Sequence, residues 1–394
     1  MNPGNPALIE FIRARIEQSG PVSFHWFMEQ ALYHPEHGYY ASGRATPGRA
    51  GDYFTSVSVG PLFGRLIALQ FREMWERMGK PAQFTIVEQG ADNGNFARDV
   101  LEALSSPDGN PDFANTVNYI IVEPFPILEK RQRETLAGFP RVEWRSYLPA
   151  LEPFRGVHFS NELVDSMPVH PVRFSGGAWK ERFVDCKDGK FDWIDQPPSS
   201  EKLRRHLEKL PADPGENYIT EVNLDALAWM ESLAARLKAG YVLIADYGHP
   251  RDIYYAPERK EGTLACYSNH RRQNDPLENI GLADITAHVE FTSLAECAES
   301  LGLRLAGYAD QHHFLAALGK QAFPDTTEPP DPARQKLLRA FTTLMHPNLM
   351  GMHFKFLALE KNLPPNTDVS LSGFQFSQNP RGTLAGQLPS LRGR

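Results

Sequence analysis

The sequence predicts an α/β protein built on a doubly wound sheet that is mostly parallel and has an antiparallel last strand. From residue 84 onwards, short apolar runs alternate with amphipathic stretches, the pattern of strands joined by crossover helices. Runs such as residues 84–87 and 241–245 lack polar alternation, which is typical of parallel strands buried on both faces. A turn containing Gly90 and Gly94 follows the first run and leads into a helix, as expected where a sheet binds a ligand at its edge.

The first 80 residues predict a helical and loop extension that forms a lid. Residues 7–18 have the apolar spacing of an amphipathic helix, and residues 62–78 that of a long helix ending at Gly79. Between the predicted helices, residues 34–61 are rich in turn-forming residues. Because so long an irregular segment is unusual in a compact domain, we expect it to bind a ligand or a substrate.

Residues 81–362 predict the core of the fold with two insertions. Parallel strands are expected at 84–87, 117–122, 142–144, 156–159 and 241–245, and closing strands at 303–308 and 353–360. The first insertion, at about 169–200, contains Gly176-Gly177 and Asp188-Gly189, which favours antiparallel hairpins that serve as a dimer arm or a substrate wall. The second insertion, 249–291, is loop-rich. Residues 363–394 are poor in large apolar side chains and are expected to be disordered.

The composition excludes several classes of function. A formal net charge of −7 over 394 residues, without a basic stripe, argues against a nucleic-acid-binding protein. The longest apolar runs are far too short to span a bilayer, so no membrane partner is expected. Three widely separated cysteines, together with Glu10 and Glu17 near the start, favour a cytoplasmic protein over one with a mitochondrial presequence. The histidines lack partners at ligand spacing, so no metal site is predicted.

The stretch from Glu88 to Gly94 is the first candidate site. Class I S-adenosylmethionine (SAM) methyltransferases follow their first strand with an acidic residue, one further residue, a glycine, three residues and a second glycine, and the stretch has this spacing. An ordinary strand-turn-helix has the same pattern. Glu123 ends the second strand 35 positions after Glu88, where a carboxylate is able to accept both hydroxyls of a ribose. The alternative is a solvated acid before the helix that starts near Pro124. A dinucleotide site is disfavoured because the third glycine is missing.

The end of the fourth strand is the second candidate site. Glu162 and Asp165 are three residues apart and would share a face of a helical turn, where two carboxylates suit a cationic acceptor such as a guanidinium. The alternative is a helix cap that uses Asn161. Asp246 and Tyr247 end the fifth strand and would line the acceptor side, unless they are structural.

Several ordered motifs resemble one family. They are Pro35-Glu-His-Gly-Tyr-Tyr40, Gly51-Asp-Tyr-Phe-Thr-Ser56, Pro61-Leu-Phe-Gly64, Val122-Glu-Pro124, Asn161-Glu-Leu-Val-Asp165, Asp246-Tyr-Gly248, Gly262-Thr-Leu264, Asp284-Ile-Thr-Ala-His-Val289 and Met350-Gly351. With them the chain resembles, over most of residues 20–360, the MidA-like (DUF185) methyltransferases, a family that includes the mitochondrial complex I assembly arginine methyltransferase. The resemblance implies a Rossmann-like class I SAM-methyltransferase sheet, SAM as cofactor and methylation of a protein arginine.

The resemblance also implies roles for individual residues. Cofactor contacts are expected from Glu88, Gly90, Asp92, Gly94, Glu123 and Asn161. Catalytic roles are expected for Glu162, Asp165 and Asn161, with Glu162 as the first candidate to orient the acceptor. Acceptor contacts are expected from Tyr40, Asp52, Phe54, Thr55, Ser56, Asp246 and Tyr247.

Two departures from the family pattern leave the acceptor open. Asp92 stands where the family has a glycine, and Asp tolerates left-handed backbone angles better than most residues, so the turn is expected to survive. Ser58 replaces an acid that the family usually carries. The alternatives to arginine methylation are therefore a small-molecule acceptor on the same fold, or a non-catalytic assembly protein. The sequence does not fix the oligomeric state, and a homodimer is one option.

Overall fold

The computed structural model describes residues 4–43, 55–107, 109–268, 271–273, 275–323, 329, 331–364, 370–377 and 380–384. The chain divides into two compact units, each assembled from separated stretches of sequence. The first unit comprises Met1–Phe54, Val164–Ala228 and Arg251–Glu290, and the second comprises Thr55–Leu163, Trp229–Pro250 and Phe291–Arg394. The boundary predicted at residue 80 therefore differs from the division found, since the long helix predicted at 62–78 belongs to the second unit.

The helices of the described residues are α1 (Pro6–Ser19), α2 (Phe24–Tyr33), α3 (Leu62–Arg77), α4 (Asn95–Ser105), α5 (Pro111–Thr116), α6 (Pro126–Thr135), α7 (Glu201–Leu207), α8 (Leu224–Arg236), α9 (Arg251–Tyr254), α10 (Phe291–Ser300), α11 (Gln311–Ala322), α12 (Pro332–Met345) and α13 (Pro380–Leu384). Short 3₁₀ turns lie at Val57–Val59, Leu148–Ala150, Pro257–Arg259 and Ser372–Phe374, and a π turn lies at Pro347–Gly351.

The strands are β1 (Val22–Ser23), β2 (Phe84–Gln89), β3 (Val117–Val122), β4 (Val142–Arg145), β5 (Phe154–Asn161), β6 (His170–Ser175), β7 (Ala178–Lys187), β8 (Lys190–Gln196), β9 (Ile219–Val222), β10 (Leu237–His249), β11 (Ala265–Ser268), β12 (Arg271–Gln273), β13 (Asp284–Thr286), β14 (Val289–Glu290), β15 (Arg304–Asp310) and β16 (Phe354–Lys361).

A twisted sheet with strand order β15-β16-β10-β5-β2-β3-β4 forms the centre of the second unit. The pairs from β4 to β10 are parallel, and β16 runs antiparallel to both of its neighbours. The apolar runs predicted as strands at 84–87, 117–122, 156–159 and 241–245 lie in β2, β3, β5 and β10. Order reverses between β2 and β5, and that is where an open α/β sheet binds its ligand.

Stacked aromatic rings fix the helix that follows the glycine turn against this sheet. Phe96 of α4 stacks on Phe159 of β5 with 4.3 Å between ring centroids, and Phe71 of α3 meets Phe159 edge-on at 5.8 Å. All three side chains are almost completely buried. The first turn of α4 is thus held rigidly at the carboxyl end of β2.

The first unit contains a five-stranded antiparallel sheet, with order β1-β7-β6-β9 and β8 on β7, and a small sheet with order β12-β11-β13. The hairpins predicted at Gly176-Gly177 and Asp188-Gly189 are confirmed, since β6 pairs with β7 and β7 with β8 across those turns. Strand β9 was not predicted. Its Glu221 is 2% exposed and accepts hydrogen bonds from the backbone N–H and the hydroxyl of Thr263.

The predicted disorder of the tail is wrong for residues 370–377 and 380–384. Leu371, Phe374 and Leu384 are at most 5% exposed. The backbone N–H of Gly373 donates to the side-chain oxygen of Gln70 at 2.9 Å, so a residue of α3 holds the backbone of the segment 370–377 in place. Three well-spaced apolar side chains anchor these segments although their composition is polar. No helix among the described residues is long and apolar enough to cross a membrane.

Candidate active site

The glycine turn after β2 has the backbone geometry that its sequence requires. Gly90 and Gly94 have φ of 80° and 79°, and the N–H of Gly94 donates to the carbonyl of Ala91 at 2.8 Å. A Cβ on Gly94 would lie 3.3 Å from the Cα of Gln132. Asp92 also has a left-handed φ, of 46°, as the sequence predicts for an aspartate that replaces glycine. The turn therefore keeps its form without the middle glycine.

The turn lies beside the end of β5. A Cβ built on Gly90 would be 3.5 Å from the Cβ of Leu163 and 3.8 Å from the carbonyl oxygen of Asn161. The predicted turn and the predicted Asn161-Glu162 pair are thus neighbours in the structure, because β2 and β5 are adjacent parallel strands that end at the same edge.

Glu123 is 5% exposed and is held from two sides. Its Oε1 accepts from the backbone N–H of Phe125 at 3.0 Å, and its Oε2 accepts from Nε2 of Gln132 at 2.7 Å. Burial raises the pKa of the Glu123 carboxyl to about 7, although both hydrogen bonds oppose the shift. A carboxylate has about four lone-pair sites, so two remain for the two hydroxyls of a ribose.

Two other acids of the turn region also have raised pKa values. Burial raises the pKa of Glu88 to about 8, against the 2.6 Å hydrogen bond that Tyr119 donates to its Oε2. Burial raises the pKa of Asp92 to about 6, and the Oδ2 of Asp92 accepts from Nδ2 of Asn93 at 2.8 Å. Glu88 is only 3% exposed, and because Tyr119 lies on β3, the hydrogen bond between the two side chains ties β2 to β3.

Asn161 and Glu162 form a pair at the carboxyl end of β5. Nδ2 of Asn161 donates to Oε1 of Glu162 at 2.8 Å, and the backbone N–H of Glu162 donates to the carbonyl of Ala245 on β10 at 2.9 Å. Glu162 has φ of 54°, which is uncommon outside glycine, Asn and Asp. Backbone strain of this kind is concentrated at functional sites.

The helical turn predicted from Glu162 to Asp165 is wrong. Glu162 has a left-handed backbone and the chain continues through bends and turns, so the three-residue spacing does not place the carboxylates on one helix face. Asp165 belongs to the first unit, where it is 4% exposed and its carbonyl accepts from the N–H of Ala287 at 2.9 Å.

Asp246 and Tyr247 continue β10 beyond Ala245, the residue paired with Asn161. Asp246 is fully buried, and its Oδ1 accepts from the backbone N–H of Tyr247 at 2.9 Å. Tyr247 is half-buried and meets Phe354 edge-on with 5.7 Å between ring centroids. The strand pairing brings both residues to the edge that carries Asn161.

The remaining residues predicted to contact the acceptor have different surroundings. Ser56 is fully buried and donates to Oε1 of Gln311 at 3.0 Å, and its contact with the acceptor stays a prediction. The hydroxyl of Thr55 is 3.0 Å from that of Ser58. Tyr40, in the first unit, donates to Oδ1 of Asp284 at 2.7 Å. Asp52 and Phe54 lie outside the described residues.

Gln132 was not predicted and is at the centre of the site. It is fully buried on α6, bonded to Glu123 through Nε2, and its Nε2 also donates to the carbonyl of Asp92 at 2.9 Å. One signal was present in the sequence. Gln132 follows Leu128 at helical spacing, on the buried face of α6, where an apolar residue is usual.

Comparisons with known proteins identify the family to which this arrangement belongs. The family model Methyltransf_28, described as "Putative S-adenosyl-L-methionine-dependent methyltransferase", matches residues 66–309. The chain belongs to this family. Its relatives include the human "Protein arginine methyltransferase NDUFAF7, mitochondrial", 30% identical with 96% of this chain and 88% of the relative covered. The homologue from Drosophila melanogaster is 29% identical, with 90% and 85% covered.

Solved structures agree with this assignment. The crystal structure of a Burkholderia thailandensis protein bound to S-adenosyl-homocysteine is 32% identical and superimposes with a TM-score of 0.83, covering 94% of each chain. A native structure of a protein from the same organism superimposes with a TM-score of 0.80 and is 31% identical. The expected class I SAM-methyltransferase fold and the resemblance to MidA-like proteins are both confirmed. This member of the Methyltransf_28 family is a methyltransferase whose cofactor is SAM and which acts on a methyl acceptor.

Proposed function

We propose that this chain is a protein arginine N-methyltransferase, of the complex I assembly type that its sequence motifs resemble. The relatives from human and Drosophila melanogaster are named protein arginine methyltransferases. The observation that carries the proposal is the Glu162 carboxylate at the end of β5, held by the Asn161 amide beside the glycine turn. A fixed carboxylate is what a cationic acceptor requires.

The residues of the turn region fit the cofactor. The backbone from Gly90 to Gly94 would pass along its amino-acid part, and the two remaining lone-pair sites of Glu123 would accept the ribose hydroxyls. Burial keeps water from competing for that carboxylate, which strengthens its hydrogen bonds to a bound diol. When bound, the cofactor supplies a methyl group on a sulfonium.

Glu162 would hold and deprotonate the acceptor. An arginine side chain is cationic because its pKa is above 12, so its nucleophilic nitrogen loses a proton as it gains the methyl group. Oε1 of Glu162 accepts from Nδ2 of Asn161, which orients the carboxylate, and this carboxylate would accept a guanidinium N–H and then take the proton. Holding that nitrogen in line with the methyl group is the other requirement for reaction.

Further acceptor contacts remain proposals for Tyr247, Asp246, Thr55, Ser56 and Tyr40. Asp165 remains the second candidate, after Glu162, to orient the acceptor and ease its proton loss. Tyr247 is half-buried at the same sheet edge as Asn161, so its ring would lie beside the methylene groups of an arginine held there. We also propose a cytoplasmic location, which the three widely separated cysteines suit, although the relatives from human and Drosophila melanogaster carry "mitochondrial" in their names.

Two substitutions separate binding from catalysis. We expect Glu162→Gln to bind SAM with nearly unchanged affinity, since it removes only the acid, while turnover falls roughly 10²–10⁴-fold. We expect Glu123→Gln to lose SAM affinity instead, because an amide accepts fewer hydrogen bonds. Calorimetry gives the affinities, and transfer of labelled methyl groups to lysate protein gives the turnover.

Each result bears on a different part of the proposal. Equal loss of binding and turnover in Glu162→Gln would contradict the catalytic role of Glu162. Label found in the small-molecule fraction and absent from protein would contradict a protein acceptor. Release of methylarginine after hydrolysis of the labelled protein is the expected outcome, and its absence would exclude arginine.

A further inference from the structure

Gln132 connects the glycine turn after β2 to the Glu123 carboxylate after β3, the two parts of the candidate cofactor site. Its side chain reaches from α6 to the glycine turn and to the end of β3. Nε2 lies 2.9 Å from the carbonyl oxygen of Asp92 and 2.7 Å from Oε2 of Glu123, and Oε1 accepts from Nε1 of Trp144 at 3.0 Å. The residue is completely buried, so these bonds do not compete with solvent.

The hydrogen-bond inventory permits one orientation of this amide. The indole N–H of Trp144 is a donor only, so it must face the amide oxygen. The amide nitrogen then faces Asp92 and Glu123, and its two hydrogens match the two acceptors there. Reversing the amide would leave two acceptors facing its oxygen and two donors facing each other. Trp144 therefore sets the direction of Gln132, and Gln132 sets the distance between the turn and the carboxylate.

We propose that Gln132 is a positioning residue for the cofactor, which holds the Glu123 carboxylate and the Asp92 carbonyl in the relative placement that nucleoside binding needs. This inference rests on the proposed role of Glu123 as the ribose ligand. It assigns to Gln132 two tasks: fixing the direction of the Glu123 oxygens, and keeping the carboxyl ionised by donating to it.

The second task has a consequence in pH. Only the ionised carboxyl accepts both hydroxyls, so affinity falls as Glu123 takes up a proton near pH 7. Donation by Gln132 and by the backbone of Phe125 favours the ionised form, whereas the charges of Asp92 and Glu129 oppose it. Without the Gln132 donor the pKa of Glu123 rises further, and the loss of affinity starts at a higher pH.

The test measures S-adenosylhomocysteine affinity by calorimetry on the full chain from pH 6.5 to 9. Above pH 8 we expect Gln132→Leu to bind about 10–100-fold more weakly than the wild type, the range for a lost hydrogen bond to a charged group. We also expect the pH at which its affinity is half lost to move upward. Trp144→Phe leaves Gln132 in place but frees its direction, so we expect a smaller change of the same sign.

Gln70→Leu is the matched control. Gln70 is also a fully buried glutamine on a helix of the second unit, bonded to Glu73 and to the backbone of Gly373. We expect its replacement to lower the melting temperature without moving the pH profile of binding.

Three outcomes overturn the inference. An unchanged affinity and pH profile in folded Gln132→Leu would overturn it while leaving the proposed function intact. If Gln132→Leu does not fold, an unchanged profile in Trp144→Phe would do the same. Failure of the wild-type chain to bind S-adenosylhomocysteine at millimolar concentration would overturn the proposed cofactor site and the inference together.

Discussion

Two non-glycine residues with left-handed backbone mark the ends of adjacent parallel strands: Asp92 after β2 and Glu162 after β5. Aspartate adopts this conformation at moderate cost, whereas a glutamate does so only where its surroundings fix it. The hydrogen bond from the Glu162 N–H to Ala245 provides that fixation.

The charge of Asp92 is the first target for substitution. Because burial raises its pKa to about 6 from an ordinary value below 4, the folded chain binds a proton that the unfolded chain releases between these values. The free energy of unfolding is therefore not reduced by this carboxyl at low pH, where it is protonated in both states. It falls as the pH rises through 6, because the buried carboxyl of the folded chain then becomes charged. We expect Asp92→Asn, which keeps the left-handed preference, to raise the free energy of unfolding by about 1–3 kcal/mol at pH 8.

At pH 4 the same substitution is expected to be close to neutral, since the wild-type carboxyl is then mostly protonated in the folded chain. Urea unfolding at the two pH values makes the comparison. An equal gain at both would mean that shape, and not charge, sets the stability at this position.

The sequence predicts cofactor contacts for Gly90, Gly94 and Glu123 because each has a distinct reason to follow a strand: close backbone approach or a ribose-matching carboxylate. Such reasoning does not reveal the hydrogen-bond partners of Gln132 and Ser56. A buried glutamine and a buried serine leave no pattern that states which partner they will meet: Gln132 bonds to Glu123, nine positions away, and Ser56 to Gln311, 255 positions away. Side-chain partnerships of this kind follow from the packed fold.

At the scale of elements, the apolar strands of the parallel sheet were predictable, whereas the short strand β9 of the first unit was not. The parallel strands β2, β3 and β10 consist mainly of apolar residues at 84–87, 117–122 and 241–245, so their positions follow from composition. Strand β9 contains Glu221, whose burial is compensated by Thr263, a residue more than 40 positions away. The segment 162–165 was misassigned to a helical turn because spacing alone does not reveal a left-handed residue.

The segment around Phe374 gives a prediction for an element that the composition suggested would be disordered. Phe374 is 2% exposed and meets Phe314 edge-on with 5.0 Å between ring centroids. A Cβ on Gly307 would lie 2.3 Å from its ring, so that glycine makes room for it. We expect Phe374→Ala to lower the free energy of unfolding by about 3–5 kcal/mol, the range for an aromatic side chain removed from a core.

Phe376 provides the control in the same segment. It is 37% exposed, with Lys320 over its ring, so we expect Phe376→Ala to cost less than about 1 kcal/mol. Chemical unfolding of the two variants tests the docked segment directly. Similar small losses in both would show that the segment contributes nothing to the stability of the second unit.

At the scale of the whole chain, each compact unit is assembled from three stretches of sequence. The sequence showed the N-terminal extension and the two insertions as separate departures from the core pattern. It gave no sign that they share one hydrophobic core, because pattern analysis works on local windows. In the first unit that core combines residues of α1 and α2 with Val184 and Phe191 from the hairpins and Ile285 from β13.

A single substitution in α2 tests whether these stretches act as one cooperative unit. Phe27 is fully buried in the shared core and meets Phe191 edge-on with 5.9 Å between ring centroids. We expect Phe27→Ala to lower the free energy of unfolding by about 3–5 kcal/mol. We also expect it to lower hydrogen-exchange protection in α2, in the hairpins 170–196 and in the strands at 265–268 and 284–286 alike.

Phe11→Ala on α1, where the side chain is 43% exposed, is expected to leave protection in all three stretches nearly unchanged. Loss of protection confined to residues 24–33 would mean that the stretches fold separately. Loss in all three would mean that residues more than 150 positions apart share one unfolding event, since a common core lets no part open without the others.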